Sequence, residues 1–209
     1  MTTDQIQIET PVGPGRATVH RAGRKKLGTL VLGHGAGGGI DARDLVALAA
    51  ALPSRGVSVV LVEQPWRLAG RKVAGPPKQL DAAWIAVLAA LRPAGPLVVG
   101  GRSAGARVAC RTALTVGADA CLALAFPLHP PGRPERSRAA ELLESGVPTL
   151  VVQGERDPFG GPAEFPSGTR IVGLPWADHS FGVPAKAGLG PSETTDRIVG
   201  AVLDWWPGR

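Results

Sequence analysis

A mostly parallel sheet covered by helices on both faces is the fold class that this 209-residue sequence predicts, and three observations predict it. Short runs rich in Val and Leu alternate with stretches whose apolar residues recur at helical spacing, the pattern of successive βα units. Leu97-Val98-Val99 breaks into Gly100-Gly101-Arg102-Ser103-Ala104-Gly105 and resumes as a small-residue helix, so a strand turns sharply into a helix there. Near the N-terminus, two alternating segments flank Pro11-Val12-Gly13-Pro14-Gly15, the mark of an antiparallel hairpin. One domain over residues 1–209 is expected, with no lid domain inserted.

In chain order, residues 6–9 and 17–20 form the hairpin, and Arg24-Lys25-Lys26 a polar loop. Residues 29–32 are a buried strand that runs into Gly33-His34-Gly35-Ala36-Gly37-Gly38-Gly39, too glycine-rich for strand or helix and suited to close approach of backbone to a ligand. Asp41 is placed to cap the next helix, whose Leu45, Leu48, Ala49 and Leu52 share one face until Pro53 and Gly56 end it. Residues 57–62 are a strand and 79–91 a helix with Leu80, Trp84, Val87, Leu88 and Leu91 on one face, stopped by Pro93. Strands follow at 97–99, 121–125, 149–153 and 169–173. A short helix covers 138–143, and the last runs from about 193 to 206 after Pro191-Ser192.

Composition narrows the function classes. Hydrophobic residues at 44% and charged residues at 19% describe an ordinary soluble chain. No apolar run is long enough to span a bilayer, and Met1-Thr2-Thr3-Asp4-Gln5 lacks the basic start and apolar core of a signal peptide, so a cytoplasmic protein without membrane association is expected. The net charge of +6 comes mostly from scattered arginines, which reads as a solvated face rather than a nucleic-acid surface. Cys110 and Cys121 fall in apolar surroundings and read as core thiols.

In open parallel sheets, ligands bind beyond the carboxyl ends of the strands. Three polar residues stand there in a telling order: Ser103 after one strand, Asp157 within Gly154-Glu155-Arg156-Asp157-Pro158-Phe159, and His179 within Trp176-Ala177-Asp178-His179-Ser180-Phe181. A serine hydroxyl becomes a nucleophile when an imidazole takes its proton, and a carboxylate must hold that imidazole in one tautomer. Serine, acid, histidine is the chain order of the α/β-hydrolase triad, with Gly101-Arg102-Ser103-Ala104-Gly105 as its Gly-x-Ser-x-Gly elbow. The 29 glycines make that motif weak alone, so its context matters. Glu155 and Asp178 are rival acids, but Asp178 adjoins His179, where neighbouring side chains normally diverge, and Glu155 lies earlier in the turn, so Asp157 is the better candidate. Backbone N–H groups of Ala104 and Ala36, with Gly37 second, are expected to hold an oxyanion. His34 reads as a loop-fixing residue and His20 as an exposed one. His129 either lines the pocket or fixes its loop, and Trp66 and Trp176 either wall a substrate or pack between loops. Neither metal nor cofactor is called for.

Gly101-Arg102-Ser103-Ala104-Gly105, Phe126-Pro127-Leu128-His129-Pro130-Pro131-Gly132-Arg133-Pro134-Glu135 and Val151-Val152-Gln153-Gly154-Glu155-Arg156-Asp157-Pro158-Phe159-Gly160 together resemble the small lidless α/β-hydrolases related to dienelactone hydrolase. Within these, the resemblance is to the group shared with the testis-expressed and KANSL regulatory-subunit proteins, and it covers nearly the whole chain. It implies an α/β-hydrolase fold and a serine hydrolase acting on a small carboxylic ester or thioester. Dienelactone hydrolases proper use a cysteine nucleophile, and Ser103 stands in that position here. Some members of the closer group are subunits of larger assemblies, which implies a second reading as a non-catalytic scaffold; homo-oligomers also fit. A third reading rests on Gly33-His34-Gly35-Ala36-Gly37-Gly38, which spells a dinucleotide fingerprint with Glu63 ending the next strand, yet leaves Ser103, Asp157 and His179 without a role.

Overall fold

The computed structural model describes residues 3–23 and 26–207, so Arg24 and Lys25 of the basic loop lie outside the described residues. Strands β1 (Thr3–Ile8), β2 (Gly15–His20), β3 (Gly28–Gly33), β4 (Val57–Glu63), β5 (Leu97–Arg102), β6 (Ala120–Leu124), β7 (Thr149–Gly154) and β8 (Arg170–Leu174) form one sheet in the order β1-β2-β4-β3-β5-β6-β7-β8. The hairpin β1/β2 and the β2/β4 pair are antiparallel; every later pair is parallel. This is the expected α/β-hydrolase architecture.

Side chains alternate across the sheet and so build two cores. Along β3, Val31 joins Trp84, Val99, Ala106 and Cys121 on one face. Leu30 and Leu32 join Leu45, Leu48, Leu122 and Ile198 on the other. The first core is covered by α3 (Pro77–Leu91), α4 (Ala104–Thr112) and α5 (Ala139–Leu143), the second by α1 (Arg43–Ala51) and α6 (Pro191–Trp205). Cys110 and Cys121 are buried free thiols with their sulfurs 3.7 Å apart.

Two local expectations fail. Asp41 does not cap α1: the helix begins at Arg43 behind Ala42, which makes no side-chain cap, because the glycine loop delivers the chain to the helix past Asp41. Between β4 and α3 stands an unexpected turn of helix, α2 (Pro65–Leu68), started by a proline whose fixed φ suits a first helical position. Among the described residues, no helix is long and apolar enough to cross a membrane.

Candidate active site

The site is assembled at the carboxyl end of β5. There the chain must reverse into α4 with almost no room: a Cβ at Gly101 would lie 2.6 Å from the Gly33 carbonyl oxygen, and one at Gly105 would lie 2.5 Å from the same atom. Both positions therefore require glycine. Between them Ser103 adopts φ 52° and ψ −112°, a conformation rare for a side-chain-bearing residue, and this turn lifts its hydroxyl above the sheet.

His179, on the loop after β8, reaches across to that hydroxyl. Its Nε2 is 2.9 Å from Ser103 Oγ and its Nδ1 is 2.7 Å from Asp157 Oδ2. With the proton on Nδ1, the ring donates to the carboxylate and accepts from the serine. The Asp157 side chain is fully withdrawn from solvent. Its Oδ2 also accepts from the Gln153 amide at 2.9 Å and its Oδ1 from the Phe159 backbone N–H at 2.8 Å, so both oxygens are fixed. The Phe159 ring lies 4.3 Å from the imidazole, centre to centre, and backs it. Neither rival acid approaches the imidazole: Glu155 points to solvent, and Asp178 Oδ1 accepts from Ser180 and Gly182 N–H within its own loop.

The glycine loop after β3 passes directly over the elbow, where a Cβ at Gly35 would lie 3.3 Å from that of Ser103. Ala36 and Gly37 follow, both exposed. Across the site, the N–H of Ala104 opens α4, where no carbonyl of the preceding turn of helix can accept it. His34 shapes this loop. Its Nδ1 donates to the Gly35 carbonyl at 2.8 Å, its Nε2 accepts the Gln64 N–H at 3.1 Å, and burial lowers its pKa, so it is a neutral, saturated ring. The helix that follows this loop in the chain begins only at Arg43, beyond the last glycine, and not at the glycines themselves as in a dinucleotide fingerprint.

Residues 26–206 match the family model described as alpha/beta hydrolase domain. The chain belongs to that family. The fold of this alpha/beta hydrolase is also that of a lidless α/β serine hydrolase from Xanthomonas campestris, at TM-score 0.71 and 20% identity over 100% of this chain and 97% of the other. An alpha-beta serine hydrolase homologue from Coxiella burnetii aligns at TM-score 0.74 and 18% identity, covering 97% and 98% of the two chains. A dienelactone hydrolase from Anabaena variabilis gives TM-score 0.74 and 16% identity over 98% and 96%. No curated protein matches the sequence.

The remaining candidate residues of the hydrolase divide. Trp66 is buried, its ring 5.5 Å from that of His34; with Gln64 and Leu80 it lines both a narrow cleft reaching Ala104 and a cavity of about 310 Å³ beside the hairpin turn. Trp176 stands half exposed at φ 62° in the His179 loop. His129 is tied at both nitrogens, Nδ1 to the Pro130 carbonyl and Nε2 to Glu164 Oε2, each at 3.0 Å. Three residues that support the geometry escape the sequence reading. Gln153 is a lone amide in an otherwise apolar strand, a signal that was available. Asp44 and Arg102 gave none, because the segments they join are far apart in the chain.

Proposed function

We propose that this protein is a serine hydrolase that cleaves a small carboxylic ester or thioester through an acyl-enzyme intermediate, without metal or cofactor. The observation that carries the reading is the chain Ser103 Oγ, His179 Nε2, His179 Nδ1, Asp157 Oδ2, closed by contacts of 2.9 and 2.7 Å. Serine hydrolases and esterases among the structural neighbours support it. The finer kinship remains with the testis-expressed and KANSL group, on the motifs quoted above, and the cytoplasm is the proposed location.

In this reading His179 takes the Ser103 proton at Nε2 as Oγ attacks the substrate carbonyl. Asp157 holds the proton on Nδ1 and stabilises the imidazolium that forms. The N–H groups of Ala104 and Ala36, with Gly37 in reserve, hold the tetrahedral oxyanion. Its collapse breaks the bond to the alcohol or thiol, which leaves with the proton from Nε2. Water then repeats the sequence on the acyl-serine and restores the enzyme. Trp66 and Trp176 flank the substrate.

Covalent labelling by a fluorophosphonate probe tests this. Peptide mass mapping should place the label on Ser103, and Ser103→Ala should abolish it while leaving the thermal melt intact. Absence of labelling in the wild-type protein would favour the scaffold reading.

A further inference from the structure

Arg102 fills a variable position of the elbow motif, immediately before Ser103, and its guanidinium joins two segments distant in the chain. Its Nη2 donates to the backbone carbonyl of His179 at 2.7 Å. Its Nε lies 3.4 Å from Asp44 Oδ2, in the first turn of α1. Both side chains are withdrawn from solvent, to 13% and 2% exposure, and neither this Nε nor this Oδ2 has a hydrogen-bond partner among the described residues. Burial raises the pKa of Asp44 and the Arg102 charge opposes that rise.

A buried ion pair is a poor way to stabilise a fold, because desolvating two charges offsets most of their attraction and apolar residues of similar volume do as well. What the pair supplies, and an apolar pair would not, is a donor held in one orientation. The His179 loop needs one. Arg156 N–H binds the Ala177 carbonyl at 2.9 Å on the β7 side, and Asp178 Oδ1 closes the loop tip. Those bonds shape the loop, and the buried Ala177 and Phe181 seat it on the sheet. Arg102 springs from the strand end that carries Ser103, so its bond to the His179 carbonyl ties the backbone of the loop directly to the elbow. Because Asp44 balances its charge, the tie adds little positive potential beside an imidazole that must become imidazolium.

We propose that Arg102 is a positioning residue: oriented by Asp44, it grips the His179 backbone and keeps Nε2 within reach of the Ser103 hydroxyl. The proposal rests on the reading of Ser103 and His179 as nucleophile and base. Displacing a catalytic group by about 1 Å can cost up to about 100-fold in rate. Arg102 has no assigned contact with substrate, so its loss should fall on kcat and spare KM.

The test measures p-nitrophenyl acetate hydrolysis and thermal melting on the full chain for wild type, Arg102→Lys, Arg102→Met and the double variant Arg102→Met/Asp44→Leu. Arg102→Met should melt lower, because it strands the Asp44 carboxylate. The double variant should regain the melting temperature yet keep a kcat about tenfold below wild type, with KM within about twofold. Arg102→Lys can neutralise Asp44 but lacks a fork that spans both partners, so it should melt like wild type with kcat reduced several-fold. Recovery of kcat together with stability in the double variant would reduce Arg102 to a counter-charge and overturn the proposal. A loss confined to KM would overturn it too, by moving Arg102 into substrate binding. Should the double variant not fold, Arg102→Lys decides: an unchanged kcat refutes the proposal. A wild-type protein that neither hydrolyses acetate nor takes the fluorophosphonate refutes the underlying reading instead, a different result from an active enzyme indifferent to Arg102.

Discussion

His179 and His129 each follow a strand end and each meet a carboxylate, at 2.7 and 3.0 Å, yet the two pairs are built for opposite ends. Asp157 is wholly buried and bonds Nδ1 of its histidine, leaving Nε2 turned to a hydroxyl. Glu164 is half exposed and bonds Nε2, while Nδ1 is already committed to the Pro130 carbonyl. A ring that donates from both nitrogens to oxygen acceptors holds its proton and has no lone pair to offer a nucleophile. The raised pKa of His129 has that origin, first in the Pro130 carbonyl and then in Glu164. The difference teaches that a histidine–carboxylate contact alone does not mark a base. What marks it is which nitrogen the carboxylate takes and what faces the other.

Matched amide substitutions break or sharpen this contrast most forcefully. Asp157→Asn should lower kcat/KM for p-nitrophenyl acetate by about 10³- to 10⁴-fold, since the amide favours the wrong tautomer and cannot stabilise imidazolium. Glu164→Gln should change it by roughly twofold or less. Steady-state kinetics on the two purified variants decides the matter, with Glu155→Gln and Asp178→Asn as bystander controls. A crippling effect from Glu155→Gln would mean that the acid has been misassigned.

Much of this contrast is legible in the amino-acid sequence. The strand runs and the elbow glycines located Ser103, and strand-end logic located Asp157 and His179, because a parallel sheet gathers its carboxyl ends on one edge. What holds His129 could not be read, since it depends on Glu164, which becomes its neighbour only when the Gly161–Glu164 turn folds against the β6 loop; Glu164 Oε1 accepts the Gly161 N–H at 2.6 Å. Asp41 misled as a helix cap because the glycine loop, not local propensity, sets where α1 starts. The turn α2 is too short to show helical periodicity. Arg102 was visible only as a motif's variable position, because its partners lie on α1 and on the β8 loop.

The same two regions bear on substrate size. Where other hydrolases insert a lid, this chain has the loop that carries His129, and it is tied down: His129 N–H to the Phe159 carbonyl, His129 Nε2 to Glu164, Arg138 Nη1 to the Pro127 carbonyl. A loop so fastened is a wall and cannot close over a substrate. Each acyl CH₂ gains about 0.8 kcal/mol only if it is buried from water, so an uncovered tail contributes little. Across p-nitrophenyl esters kcat/KM should be highest for acetate to butyrate and fall about fivefold or more by decanoate, without a jump at a lipid interface. A steady rise with chain length would show that the wall moves or that a second copy covers the site.

The smallest effect expected is on stability, and it separates the pairs by pH. The His129 pKa is raised above the ordinary histidine value of about 6.5, so the folded state holds its proton more tightly than the unfolded chain does. That contribution is complete below the ordinary value and fades as pH rises through the raised one. Glu164 has the opposite sign: its pKa is lowered, by the Gly161 N–H first and His129 next, so its contribution is present above the usual carboxylate range and lost as pH falls. Both are therefore engaged near pH 6. Glu164→Gln should lower the melting temperature by about 2 °C at most near pH 6, a surface-pair effect, and the gap between the two melting curves should narrow as pH rises through the raised His129 pKa, leaving the part that Glu164 contributes through the Gly161 N–H. A difference that instead stayed constant as pH rose would mean that His129 is neutral in the folded state at pH 6. The pair would then be an ordinary neutral hydrogen bond, and the contrast with His179 would rest on burial alone.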